Sequence, residues 1–286
     1  MAASFINGTI VGAGYALVAL GIVLIYKATR HFNFAQGEFG TVATFVAWML
    51  LNRGLGWPLA GTIAVLTGVA MGLAVERLVV RPLRNSPQVT VLVATAGVAL
   101  LAIALQIIIG EAKLRGIDPM VGGEGFTVAR ALVKPQDLMI VLGLAVTGVV
   151  LVLFFRSPVG TALLATSQEP FAARIAGIST TQMSMLVWGL AALFGALAGL
   201  LFAPVDAFTP GFMTQRRLIP GFTAAVLGGI TSLPGAVVGG FAIGLIEAYF
   251  GYFLGDTIRG ADGLGVFVAL LAVLVVRPRG LLGKAA

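Results

Sequence analysis

Long apolar runs, separated by short polar connections, set the pattern of this chain. They fall at about 9–29, 34–52, 58–80, 89–109, 136–155, 183–203, 218–232, 236–254 and 263–277. A helix rises about 1.5 Å per residue, so a hydrocarbon layer about 30 Å thick takes about 20 apolar residues. Most of the runs reach that length, and a segment that leaves water must satisfy its backbone internally, as a helix. The pattern predicts an all-α, polytopic transmembrane helical bundle of about 8 to 9 spans. The count turns on 218–232, which is short enough to be re-entrant. Residues 1–286 read as a single transmembrane domain.

One connection departs from this pattern. From about 157 to 182 the chain reads SPVGTALLATSQEPFAARIAGISTTQ, charge-bearing and helix-forming between two apolar runs. Gln168, Phe171, Ala172, Ile175 and Ala176 follow near-helical spacing, which puts Phe171 and Ile175 on one face and Glu169 on another. Pro170 fits only a first turn and Gly177 is a natural stop, so a short helix is expected from about Glu169 to Gly177. An exposed Phe on such a helix suits the cleft of a partner protein. A helix lying on lipid is the other reading, but those carry several basic residues and this one has only Arg174. Gln168, Glu169, Phe171, Arg174 and Gly177 are therefore the candidate coupling residues, and docking to a motor subunit the expected role.

Composition narrows the function classes. Apolar residues make up 59% of the chain and charged residues 10%, with mean hydropathy +1.04, values outside those of soluble domains. The net charge of +7 sits at the ends of apolar runs, where Lys and Arg anchor to headgroups, and forms no nucleic-acid patch. Lys27, Arg30, Arg77, Arg81, Arg84, Arg156, Arg174, Arg277, Arg279 and Lys284 mark candidate inner ends. The connection Glu111–Pro135 mixes both signs and reads as external. That places the N-terminus outside and the C-terminus in the cytoplasm. MAASFINGTIVGAG lacks a charged leader and is expected to be retained. With no cysteine and one histidine, His31, thiol chemistry and a metal site are not expected, and an enzyme is not indicated.

Two stretches break the plain spans. RHFNFAQGEFGTVATF sets Asn33, Gln36, Gly37 and Glu38 at the mouth of the second run, where a carboxylate must face water or the bundle interior. Either it is a polar helix start at the interface, or a broken helix that exposes polar groups to a translocation pathway. RRLIPGFTAAVLGGITSLPGAVVGG places Gly228, Gly229, Pro234 and Gly235 at a tight reversal between two short runs. Close helix packing and a pathway lining are both open there.

FNFAQGEFG (Phe32–Gly40), ERLVVRPLR (Glu76–Arg84), SQEPFAARIAGI (Ser167–Ile178), FTAAVLGGITSLPGAVVGG (Phe222–Gly240) and the ending VVRPRGLLGK resemble the LivH-type permease of branched-chain amino acid ABC importers. The similarity runs over most of the chain in order. It implies a multi-pass subunit of the bacterial plasma membrane that moves leucine, isoleucine and valine inward by alternating access. It also implies a LivM-like sister permease, two cytoplasmic ABC ATPases that bind ATP and Mg, an external solute-binding protein and surrounding membrane lipid as partners. No cofactor on this chain and no nucleic acid is expected. The segment Ser167–Ile178 corresponds to the family's ATPase-coupling loop, with Glu169 and Gly177 at its acidic and glycine positions, whereas Gln168, Pro170 and Arg174 depart from common forms. Gln36 stands where the family often has His. The absence of a Walker A sequence puts ATP hydrolysis on partners. The same permease class with urea, short amides or other amino acids as cargo is the nearest alternative, and a secondary transporter or channel the next.

Overall fold

The structure, a computed structural model that describes residues 1–283, turns every predicted apolar run into a helix. In chain order these are α1 (Ala2–Thr29), α2 (Gln36–Leu51), α3 (Trp57–Val75), α4 (Gln88–Gly110), α5 (Pro135–Arg156), two shorter helices α6 (Pro158–Gln168) and α7 (Pro170–Ile175), then α8 (Thr180–Phe202), α9 (Leu218–Gly228), α10 (Leu233–Leu254) and α11 (Ala261–Val276). The basic position Lys284 lies outside the described residues. Six helices, α1, α3, α4, α5, α8 and α10, are long and apolar enough to cross a membrane. α9, with 11 residues, is roughly 16 Å long and too short to cross by itself. It is reached through 203–212 and a π-helical turn, Met213–Arg217, so that this passage is a broken one.

α1 is the central post. Residues from Ala13 to Ile25 are buried along its length. Small residues explain how helices approach it: Gly8, Gly12 and Ala16, spaced by four, form one stripe. They meet Gly240, Gly244 and Ala248 of α10, which runs antiparallel. A Cβ on Gly12 would stand 2.8 Å from the Gly240 carbonyl oxygen and 2.9 Å from the Phe241 Cα. α8 supplies the second buried post through Trp188, Ala191, Ala192 and Phe194. α2 runs parallel to α8 with Gly40 against Gly195 and Gly199, and α3 runs antiparallel with Gly68 against Ala196.

The outer faces of α4 and α5 expose Leu100, Ile108, Val149 and Leu153, as expected for lipid contact. Proline at the first turn starts α3, α5, α6, α7 and α10, where its missing N–H costs no hydrogen bond. The bundle has two ends. One carries α6, α7 and the basic turn after α3; the other carries an antiparallel hairpin, β1 (Phe126–Val128) with β2 (Ala131–Val133). The sequence reading of Glu111–Pro135 as a plain connection missed this hairpin. Ala129 and Arg130 turn it with φ of 48° and 68°, a left-handed pair that neither residue type signals.

Candidate translocation and docking sites

The break between α1 and α2 is built by polar side chains that replace the missing helix bonds. Arg30 closes α1 in a left-handed conformation, its N–H donating to the Tyr26 carbonyl at 2.8 Å. The chain then climbs back into the bundle, because Gln36 sits at the depth of Gly21 in α1 and Ala191 in α8. Asn33 accepts from the Ala35 N–H at 3.0 Å and donates to Gln36 at 3.4 Å, while the Gln36 amide donates to the Ala191 carbonyl at 2.8 Å. α2 thus begins inside the protein, and Asn33, Gln36 and Glu38 are all buried.

Glu38 is the deepest of these polar groups, fully buried. Its Oε2 accepts from the Gln106 amide of α4 at 2.6 Å. The Gln106 Oε1 in turn accepts from the Gly211 N–H at 3.0 Å, and the Thr41 hydroxyl accepts from the Met213 N–H at 3.4 Å. Gly37 packs directly on Thr214, in the π-helical turn that leads into α9. The two broken passages therefore meet: the start of α2 and the approach to α9 are joined through Glu38, Thr41 and Gln106. Gln106 is a residue sequence reading missed, since a lone Gln within an apolar run carries no pattern of its own.

Gly228, Gly229, Pro234 and Gly235 lie elsewhere, at the basic end of the bundle. Gly228 and Gly235 place their backbones in direct contact, and Gly229 takes a φ of 106° that side-chain-bearing residues rarely adopt. Ser232 caps α10 by accepting from the Gly235 N–H at 3.1 Å. The C-terminal segment pairs with this turn: Leu281 N–H donates to the Leu227 carbonyl at 2.7 Å and Leu282 N–H to the Gly228 carbonyl at 2.9 Å. Phe222 of α9 packs edge-on against Phe32 and at a tilt against Phe34, with centroids 5.7 and 6.2 Å apart, and so links this region to the α1–α2 break.

The long connection holds two helices where one was expected. α6 fills 158–168, capped by the Ser157 hydroxyl, and Glu169 forms the joint at φ −134° before α7. Gln168 is the last residue of α6. α7 ends in a Schellman arrangement, with Gly177 N–H donating to Arg174 O and Ile178 N–H to Ala173 O, and Gly177 at φ 81°. Ala173 faces inward, whereas Phe171 and Ile175 are 68% and 75% exposed. These are among the largest apolar exposures outside the lipid-facing helices. The Arg174 guanidinium folds back to the Pro170 carbonyl at 3.3 Å. Arg84 ties the start of α8 to the turn after α3, donating to Thr180 at 2.7 Å and Thr181 at 3.3 Å, and Arg81 pairs with the buried Glu76 at 2.8 Å.

A further buried polar network gathers around Arg217, a residue that sequence reading missed. Arg217 is paired with Asp206, donates to the Tyr15 hydroxyl at 3.0 Å and lies over the Phe202 ring, 4.3 Å from its centroid. Glu247 of α10 faces Tyr15. Arg216 and Arg217 look like an interfacial anchor in sequence, and only the inward approach to α9 brings the second of them into the core. At the hairpin end Glu111 pairs with Lys113, which holds its carboxyl below the usual range, and this exposed pair is a surface feature. Among the described residues no group of three or more His, Cys, Asp or Glu could hold a metal ion.

Comparison with known proteins agrees with this architecture. The family model described as branched-chain amino acid transport system / permease component matches residues 4–276. The high-affinity branched-chain amino acid transport system permease protein LivH of Escherichia coli K12 is 30% identical, over 97% of this chain and 94% of its own. BraD of Pseudomonas aeruginosa, a permease protein of the same description, is 29% identical over 98% and 94%. Among solved structures, PsaBC from Streptococcus pneumoniae in complex with Fab shares the fold, with a TM-score of 0.50 at 15% identity over 96% of this chain and 89% of that one. A match to the family model across nearly the whole chain, on a helical bundle broken where the quoted motifs lie, makes this protein a member of the branched-chain amino acid permease family.

Proposed function

We propose that the chain is one permease subunit of an ATP-driven ABC importer in the plasma membrane, moving leucine, isoleucine and valine into the cytoplasm. The cargo is taken from what the relatives' names state, and the multi-pass helical body and family membership support the transport role. A LivM-like sister permease, two cytoplasmic ATPases and an external solute-binding protein complete the assembly. ATP and Mg belong to the ATPases, and this chain hydrolyses nothing.

The observation that carries the reading is α7: a short helix at the basic end whose Phe171 and Ile175 stand exposed beside Arg174. Basic connections favour the cytoplasmic side, which puts α7 within reach of an ATPase and the N-terminus outside. Glu169 and Gly177 bound α7 at its two ends, and Gln168 joins it to α6, so the pair can move as a lever. The Arg84 bonds to Thr180 and Thr181 carry that movement toward α8 and the turn after α3. α8 packs on α2 at Gln36 and Gly40, so a shift of α8 reaches the joint of the two broken passages at Asn33, Gln36, Gly37 and Glu38. The close-packed turn at Gly228, Gly229, Pro234 and Gly235 acts as the pivot of the second passage. Transport then requires two arrangements of this joint, each favoured by a different nucleotide state of the partners.

Purification of the tagged chain from its native membrane in mild detergent, with mass identification of bound proteins, tests the assembly. Two Walker-containing ATPases and a second permease are expected. A chain recovered alone contradicts the reading.

A further inference from the structure

α4 makes its main contacts with α2 and with the π-helical turn Glu76–Val80 that ends α3, while α3 itself packs on α2 and α8. Between these three walls a cavity of about 450 Å³ opens outward, lined by Val46 of α2, Ala74 and Leu78 from α3 and its π-helical turn, and Leu101, Leu105 and Gln106 of α4. Leu78, Leu101 and Leu105 are 72%, 61% and 47% exposed, so the rim is open. In a bilayer such a groove is filled by apolar matter, and its shape decides which kind. The stretch of α4 from Val98 to Ile109 that lines it is about 16 Å long, which gives an average cross-section of roughly 30 Å². A helix about 10 Å across needs roughly 80 Å². The groove is too narrow for a partner's helix and suits an extended hydrocarbon chain.

Charge at one end of the groove selects the lipid. The connection 81–87 joins α3 to α4 across the basic end, and Arg77, Arg81 and Arg84 stand there, whereas no Asp or Glu occurs from 77 to 110. Arg81 is neutralised by the buried Glu76 at 2.8 Å. The bonds of Arg84 go to the uncharged hydroxyls of Thr180 and Thr181, and Arg77 is exposed beside Leu78, one turn from Ala74. Two guanidinium charges are thus left for a head group. Arginine takes phosphate oxygens in pairs, and basic residues between spans at the cytoplasmic surface collect anionic lipids.

We infer that this groove binds one anionic phospholipid, its phosphate held by Arg77 with Arg84 and one acyl chain lying along α4 as far as Gln106. Gln106 is the one polar side chain among the described residues that line the groove, and it also donates to Glu38 at 2.6 Å and accepts from the Gly211 N–H at 3.0 Å. The acyl chain therefore covers the joint of the two broken passages and keeps water from those bonds, which are stronger in a dry setting. Lipid binding here is independent of which cargo the chain moves.

The chain has no cysteine, so Leu101→Cys places a single bimane label at the rim of the groove and Val146→Cys places one on the exposed face of α5. The full-length chain with its co-purified partners is reconstituted in phosphatidylcholine, with the cysteine-free parent treated alike as the blank. Rising fractions of the host lipid are then replaced by phosphatidylglycerol or phosphatidylcholine with brominated chains, which quench the label on contact. At Leu101, phosphatidylglycerol is expected to reach half-quenching at about one-fifth of the mole fraction that phosphatidylcholine needs, the gain that one basic residue near the surface provides. At Val146 the two lipids are expected to quench alike. Arg77→Gln brings them level at Leu101, and Arg77→Lys keeps the preference. Equal quenching at Leu101, the same preference at both positions, or no quenching at Leu101 by either lipid because a partner covers the groove, overturns the site.

Discussion

Replacing Gly12 by valine drives a side chain into the backbone of α10. The new Cβ stands 2.8 Å from the Gly240 carbonyl oxygen and 2.9 Å from the Phe241 Cα, where ordinary contact begins at about 3.5 Å. Both neighbours are backbone atoms, so no rotamer change relieves the overlap. α1 and α10 must separate by roughly 0.6 Å before the valine methyls are placed, and a gap of that size forfeits about a quarter or more of each dispersion contact along the seam. Overpacking of this kind costs about 1–3 kcal/mol, and the rigid partner puts Gly12→Val at the upper end. Gly148 on α5 has no atom within 4 Å of its Cβ position, so Gly148→Val is the matched control. Thermal loss of the monodisperse peak in mild detergent is the assay. Gly12→Val is expected to lower the midpoint by roughly 5 °C or more and Gly148→Val to leave it within a degree or two. Equal midpoints for the two variants refute the packing argument.

Other outcomes follow from the same geometry. Phe171→Asp with Arg174→Asp is expected to leave the chain inserted and to reduce ATP-driven uptake at least tenfold, because the docking face loses both its apolar anchor and its cation; unchanged uptake contradicts the role of α7. Gln106→Leu removes the amide donor to the Glu38 Oε2, leaving that carboxylate the Thr41 hydroxyl, and leaves the Gly211 N–H unpartnered, a loss of about 3 kcal/mol, whereas adding Glu38→Met restores part of the stability. A double variant that melts no higher than the single one argues against the pairing. Gly228→Leu sets a side chain on the Gly235 backbone, and normal assembly and transport by that variant remove the claim that this turn is a close-packed pivot.

The nine apolar runs were readable because hydrocarbon demands length and apolarity, and each became a helix, eight of them within about five residues of the expected bounds and α1 starting at Ala2, well before the expected position 9. α7 was readable from the spacing of Phe171 and Ile175 with Pro170 and Gly177 as punctuation. α6 was not, because ALLATS between Gly160 and Gln168 carries no capping or charge signal beyond Ser157. The polar start of α2 was visible as residues, and its depth was not: only tertiary packing on Ala191 and Gln106 shows that Gln36 and Glu38 lie inside the protein. Arg217 was hidden for the same reason, since a basic pair next to an apolar run reads as a headgroup anchor. The pairing of Gly8 and Gly12 with Gly240 and Gly244 joins segments more than two hundred residues apart, a relation that single-sequence periodicity does not contain.

The account rests on this chain being the passive, partner-driven part of an importer. Proteoliposomes holding the permease with its co-purified partners, ATP enclosed on the side of α7 and binding protein with labelled leucine on the other, measure that claim most directly. Uphill accumulation of leucine that requires ATP and disappears with Phe171→Asp and Arg174→Asp is the predicted result. Movement of solute by the chain alone in ATP-free vesicles contradicts it and makes the protein a channel or a secondary carrier.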